Sequence, residues 1–255
     1  MPPLIPPFGQ PFISFSTIDS TNDEARRFID AGKASAGMAL FTAHQQKGRG
    51  QRGKTWSETK GEGIALTVLL QPHFLTVSQQ FLLSAAVALG VRAFLAQQGD
   101  TTETFTIKWP NDIYCGDRKI AGLLIENSIR SNNEWNWAVI GIGINLNQAS
   151  FEADLPNPIS LYQVIGEQKD PAWVAKQLCT FLTDFLTSLF QDAPEKIIDR
   201  YQAHLYKKGQ TCQFIRGGSS FQAIPLGVTP LGELQLDRIE KPIRLGEVEW
   251  KIKQS

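Results

Sequence analysis

Cysteine, histidine and net charge are all scarce in this chain. Its 255 residues hold three cysteines and three histidines, and 25 cations balance 25 carboxylates, for a formal net charge of zero. Cys115, Cys179 and Cys212 lie far apart. They have neither metal-site spacing nor the even count of a disulfide framework, so a reducing, cytoplasmic setting is expected. His44, His73 and His204 are scattered and suggest no triad or metal pair. A zero balance supplies no long-range field for nucleic acid or an anionic membrane, so neither partner is expected. The longest apolar tract, 81–96, contains Ser84 and Arg92 and falls short of the about 20 apolar residues a membrane span needs. It reads as a core-facing helix. The first seven residues lack a basic leader followed by an apolar helix, so no signal peptide is expected.

What is present is local. Residues 44–70 open with a loop carrying Lys47, Gly48, Arg49, Gly50, Arg52, Gly53 and Lys54, and end in an apolar run at 64–70. Glycines let a backbone approach a ligand, and free N–H groups beside guanidinium groups suit an anion. The stretch predicts a phosphate or carboxylate cradle anchored by a strand; a mobile basic surface loop is the plainer alternative. Gly48, Gly53, Lys54 and Thr55 also satisfy the P-loop pattern literally. That motif needs a helix directly after it to present its N-terminus to phosphates. Trp56 to Gly63 has two glycines and no helical period, so the P-loop reading fails.

Two further stretches carry signals. In 105–127, two strands flank Gly116-Asp117, a tight hairpin turn. Trp109-Pro110-Asn111-Asp112 is expected to interrupt the first of them, because proline cannot donate to a ladder. Lys108, Asn111 and Asp112 would project from the break, with Lys119 on the returning strand. An edge strand blunted by charge would also explain Lys119 and Asp117. In 135–147, Gly141 and Gly143 share one face of a buried strand. Their missing side chains make room for a packed helix or for a slender ligand.

Elsewhere the pattern predicts a strand at 12–18, then a helix from about 20 to 31 whose capping box is Ser20 with Asp23 or Thr21 with Glu24. Ser20, Thr21 and Asn22 also sit where a strand meets a helix N-terminus, a place suited to polar ligand contacts. A strand is expected at 38–43 and helices at 77–98, 159–165, 171–190 and 194–206. After Lys207-Lys208-Gly209 short strands follow at 211–216, 220–226, 233–236 and 247–252. These predict a small β-barrel over 208–255 behind a main domain over 1–207.

Four segments together resemble the biotin protein ligase family: Ser20-Thr21-Asn22; Gln45 with Gly48-Arg49-Gly50 and Arg52-Gly53; Lys108-Trp109-Pro110-Asn111-Asp112 with Lys119 and Ala121-Gly122; and Gly141, Gly143 and Asn145. The resemblance runs from about residue 12 to the C-terminus. It implies an α+β fold like that of class II aminoacyl-tRNA synthetases and biotin synthetases. There a mixed sheet has helices mainly on one face, and a Src-homology-3-like barrel follows. It also implies an enzyme that makes biotinyl-5′-AMP from biotin and MgATP, then transfers biotin to a lysine of a biotin carboxyl carrier domain, as of acetyl-CoA carboxylase. By resemblance, Ser20, Thr21, Gln45, Gly48, Arg49, Gly50, Lys119, Gly141 and Gly143 bind biotin. Arg49, Arg52, Trp56, Lys108, Asn111 and Asn145 bind ATP, and Asn111 helps hold magnesium. Arg49, Lys108 and Lys119 are the catalytic cations, and Asp112 orients or deprotonates the incoming amine.

Family members often carry arginine where this chain has Gln51, which implies a looser hold on the adenylate. Some bacterial relatives carry an N-terminal DNA-binding domain; only 11 residues precede the first expected strand here, so no repressor function is expected. The sequence leaves a homodimer open. The competing readings are a lipoate or octanoate ligase of the same fold and, in a different class, a nucleic-acid-binding module using the basic loop and the barrel.

Overall fold

A computed structural model describes residues 5–57, 59–153 and 155–251. The first four residues of the N-terminal segment, and Ile252 of the strand expected at 247–252, lie outside them. The elements run β1 (Phe12–Phe15), α1 (Thr21–Asp30), β2 (Ala39–Thr42), β3 (Gly63–Leu70), α2 (Gln80–Leu95), β4 (Phe105–Lys108), β5 (Asp112–Cys115), β6 (Arg118–Ile129) and β7 (Trp135–Asn145). Then come α3 (Leu161–Ile165), α4 (Pro171–Leu189), α5 (Pro194–Ala203), β8 (Cys212–Arg216), β9 (Ser219–Ala223), β10 (Pro225–Val228), β11 (Leu234–Leu236), β12 (Ile239–Ile243) and β13 (Glu249–Trp250).

β1 to β7 form one sheet in the order β1-β2-β3-β7-β6-β5-β4. β1 runs parallel to β2 and the other neighbours are antiparallel, so the sheet is mixed. Its two faces differ because strand side chains alternate. Ile140, Ile142 and Ile144 of β7 join Leu66 and Val68 of β3 in the main core, with α2 and α4. α2 is apolar nearly all round and buried along most of its length; it is the core helix expected from the 81–96 tract. On the opposite face α1 covers a smaller cluster of Ala25, Leu40, Leu69, Trp137 and Val139. Beyond that cluster, towards the C-terminal end of β7, this face carries glycine. Helices therefore lie mainly on one face, and the other keeps room for a site.

Ser20 caps α1, accepting from the Asp23 amide at 3.4 Å. Only half of the expected capping box forms, because the Asp23 carboxylate turns instead to Arg49. The Trp-Pro-Asn segment also departs from expectation. It does not interrupt a strand; it reverses the chain, with Lys108 opposite Asp112 across the β4–β5 pair. Two consecutive hairpins replace one, since Gly116-Asp117 makes the next turn with Gly116 at φ 56°. The reversal is held from outside the sheet. Trp109 Nε1 donates to the Gly232 carbonyl at 2.8 Å and Tyr201 Oη to that of Pro110 at 3.0 Å.

β8 to β13 form two three-stranded antiparallel sheets, the small Src-homology-3-like unit. The single strand expected at 220–226 is divided at Ile224 into β9 and β10. β12 was not expected because Glu240, Lys241 and Pro242 hide it; it lies at the end of its sheet, where proline removes no needed ladder bond.

Gly232 lies at φ 84°, and a Cβ there would run into the Phe81 ring on α2. Gly232→Ala is expected to destabilise the protein by about 1–3 kcal/mol, from overpacking and a left-handed backbone. Urea denaturation would check it.

Candidate active site

One cavity of about 970 Å³ opens on the α1 face of the sheet. It is lined by every site residue named from the sequence except Gly48. Gly48 lies immediately behind it, where a Cβ would strike the Trp56 carbonyl. Segments from the start of α1 to β13 converge there, and three parts can be distinguished.

The first is a polar pocket at the start of α1. Gln45 Oε1 accepts from the Thr21 amide at 2.9 Å and the Thr21 hydroxyl at 3.2 Å. Thr67 of β3, fully buried, reaches Thr21 Oγ1 at 2.8 Å and Asn22 Oδ1 at 2.7 Å. A buried hydroxyl chain of this kind holds its polar atoms in fixed directions, as selective recognition of a polar head requires.

The second part is the glycine floor. Gly122 stands opposite Gly143, and Leu124 opposite Gly141, in the β6–β7 pair. A Cβ on Gly141 would collide with the Asn22 amide, and one on Gly143 would lie 2.5 Å from the Trp56 indole. The close-packing reading of the glycines is therefore realised. Gly141 lets the helix start pack close, and Gly143 leaves a flat slot, in which the Trp56 ring lies. The Nε1 of Trp56 and that of Trp250 across the cavity are buried, and neither has a hydrogen-bond partner among the described residues.

The third part is the basic rim. The 47–54 loop is a closed hairpin, with Gly48 O accepting from Trp56 N at 2.9 Å and Lys54 O from Gly50 N at 2.7 Å. Gln51–Gly53 makes a 3-10 turn at its tip, with Arg52 at φ 57°. No helix follows; β3 does, as the failed P-loop reading anticipated. Arg52 lies across Gly246, where a Cβ would come within 2.5 Å of the guanidinium carbon. Lys119 pairs with Asp112 at 2.6 Å and stands 5.4 Å from the Trp56 ring. Asn145, buried, donates to the Lys119 and Ile159 carbonyls at 3.3 and 3.2 Å, so it fixes the strand that carries Lys119. Asn111 is turned back onto β6, donating to the Leu123 carbonyl.

Lys108 is enclosed by aromatic rings, its Nζ 5.4 Å from the Tyr114 centroid and 5.8 Å from that of Trp250. Among the described residues no carboxylate forms an ion pair with it. Burial pulls its pKa down to about 8, against the opposing pull of Asp112. Arg49 differs. Its guanidinium is committed to Asp23 at 2.5 Å and Glu126 at 3.0 Å. Burial works to lower its pKa, but the two carboxylates raise it overall.

Tyr114, Trp250 and Glu126 were missed by sequence reasoning. Glu126 had a signal: counting in twos from Gly122 along β6 places it on the same face of the sheet as Gly122 and Leu124, next to the cavity. Trp250 had none, since it arrives from the C-terminal sheets. The cysteines offer no nucleophile. Burial pushes Cys115 up to about 11 and Cys179 to about 12, and all three thiols are free and buried.

A slender acid held by its polar head, its tail along a bare strand and its carboxylate among cations, suits an adenylate-forming ligase. The comparisons agree. The model of the biotin/lipoate A/B protein ligase family matches residues 14–145, and the chain belongs to that family. It is 30% identical over 242 residues to the bifunctional ligase/repressor BirA of Bacillus spizizenii, covering 91% of this chain and 71% of that protein. It is 28% identical over 220 residues to a biotin–[acetyl-CoA-carboxylase] ligase of Mycobacterium tuberculosis, covering 86% and 80%. The structure of biotin protein ligase from Aquifex aeolicus in complex with biotin and ATP superposes with a TM-score of 0.77 at 24% identity, covering 95% of this chain and 99% of that one. That likeness shows the fold.

The unfolded chain holds the Lys108 proton more tightly than the folded one, so a charged Lys108 costs stability at neutral pH. The cost fades as pH rises from about 8 towards the ordinary value of 10.5. Lys108→Met is expected to stabilise the fold by on the order of 1–3 kcal/mol at about pH 7, and by less at about pH 9.5. Urea denaturation at both pH values tests this.

Proposed function

We propose that this chain is a biotin protein ligase that activates biotin with MgATP and transfers the biotinyl group to a lysine of a biotin carboxyl carrier domain. The observation that carries the reading is one cavity joining a polar head pocket, a glycine floor and the cations Arg52, Lys108 and Lys119. In the first step a carboxylate oxygen of biotin attacks the α-phosphorus of ATP, and pyrophosphate leaves. Two anions must be brought together, so held cations lower the barrier. Lys108 suits this because among the described residues no carboxylate forms an ion pair with it, and Lys119 lies beside it with Asp112. In the second step the acceptor amine attacks the acyl carbon, AMP leaves, and the nitrogen loses a proton. Asp112, already holding Lys119, is placed to orient that amine.

The ureido head of biotin has both donors and an acceptor, and the Ser20–Gln45 pocket offers fixed partners of both kinds. Magnesium enters on ATP, whose phosphates supply ligands. Among the described residues no cluster of three or more acidic, histidine or cysteine side chains gathers to hold an ion. The side-chain oxygen of Asn111 is the protein ligand we assign to it. Zero net charge supports catalysis without operator binding, and three free thiols suit a reducing cytoplasm.

Purified protein with MgATP should release pyrophosphate with biotin and not with lipoate, octanoate or no acid. Release with lipoate or octanoate alone would keep the fold and overturn the substrate. Lys119→Ala should lower the biotin-dependent rate by about 100-fold or more, as loss of a transition-state cation does.

Gln51 stands at the loop tip and lines the cavity. Its neutral side chain gives the adenylate phosphate no ion pair, so this enzyme should release adenylate several-fold faster than its Gln51→Arg variant. Equal release in a single-turnover assay would sink that expectation.

A further inference from the structure

Arg49 heads the conspicuous basic motif, yet its guanidinium is spent on Asp23 of α1 and Glu126 of β6. Glu126 is the hub of that arrangement. Its side chain is only 15% exposed. It accepts from Arg49 at 3.0 Å, from Arg26, and from the Asn22 amide at 2.8 Å. Neither the sequence motif nor the proposed chemistry gives Glu126 a task, and a largely buried carboxylate is costly unless compensated.

We propose that Glu126 is a positioning residue: by holding Arg49 it fixes the Gly48–Gly50 backbone beside the acid pocket and so sets how tightly the acid is retained. The geometry carries this at both ends. On the loop side, Arg49 is the residue between the two glycines whose backbone closes on Trp56 and Lys54. Pinning its side chain pins the Gly48 carbonyl and the Gly50 amide. On the pocket side, the Asn22 amide that donates to Glu126 also receives the Thr67 hydroxyl, which reaches Thr21. The head pocket and the loop thus share one hydrogen-bonded chain with Glu126 at its junction. Charge-assisted bonds of this kind are stronger than neutral ones. The inference takes its ligand from the ligase reading, but the latch itself does not depend on it.

The test uses the full chain carrying Glu126→Gln, which keeps the size and removes the charge. Without any ligand, tryptic cleavage after Arg49, Arg52 and Lys54 should be about tenfold faster than in the wild type, because the loop opens more often. In the pyrophosphate assay the KM for biotin should rise about tenfold while kcat stays within about twofold, the mark of lost ground-state binding. Glu126→Asp, which restores the charge at shorter reach, should fall between. Should Glu126→Gln not fold, Asp23→Asn removes the second carboxylate from the more exposed end and should move both readouts in the same direction. Wild-type cleavage rates together with a wild-type biotin KM would overturn the proposal. A fall in the KM for ATP with biotin KM unchanged would overturn it too, since it would show Arg49 freed to serve the phosphates. Faster cleavage in the variant of a protein that shows no biotin-dependent pyrophosphate release would leave the latch standing and defeat the ligase reading.

Discussion

β7 must be two different surfaces at once. It lies in the interior of the sheet, between β3 and β6, and one side of it is a run of isoleucines against α2 and α4. On the other side Gly141 and Gly143 carry nothing, and Gly122 continues the bare strip onto β6. Burial of the first side anchors the sheet, at about 25 cal/mol for each Å² of apolar surface removed from water. The bareness of the second makes the cavity. A side chain at either glycine would displace Asn22 or Trp56, so the packing of the helix start and the seat of the Trp56 ring depend on the same missing atoms.

Charge is then distributed around that strip in two different ways. Arg49 and Lys119 are each matched by carboxylates close by. Lys108 forms no ion pair among the described residues, and sits among aromatic rings with its pKa drawn down to about 8. A matched cation orders structure, while an unmatched and partly desolvated one is ready for an incoming anion. Zero net charge over the whole chain hides this division.

The C-terminal sheets are part of the same arrangement. Trp250 walls the Lys108 enclosure, Gly246 seats Arg52, and Gly232 receives the Trp109 indole. The Trp-Pro turn is thereby gripped between α5 and the C-terminal sheets. This gives a physical reason for a bulky, donor-poor segment in a place where a strand would otherwise continue.

The sequence by itself determined the local pieces: the capped start of α1, the paired glycines of β7, the hairpin at Gly116-Asp117 and the short strands after residue 208. Each follows from steric or hydrogen-bonding preferences acting over a few residues, which survive without tertiary context. It also marked out the motifs that now line one cavity, because glycine, proline and clustered cations are costly and conspicuous where they stand. Only the tertiary structure decided what those side chains do to one another. Arg49 meets Glu126 across 77 residues and Trp109 meets Gly232 across 123. Pairings at such separations are set by how the layers pack and carry no local signature. The Trp-Pro turn was misread as a break within one strand for the same reason. Whether a chain stops or reverses at proline depends on the distant groups that receive it, here Tyr201 and Gly232.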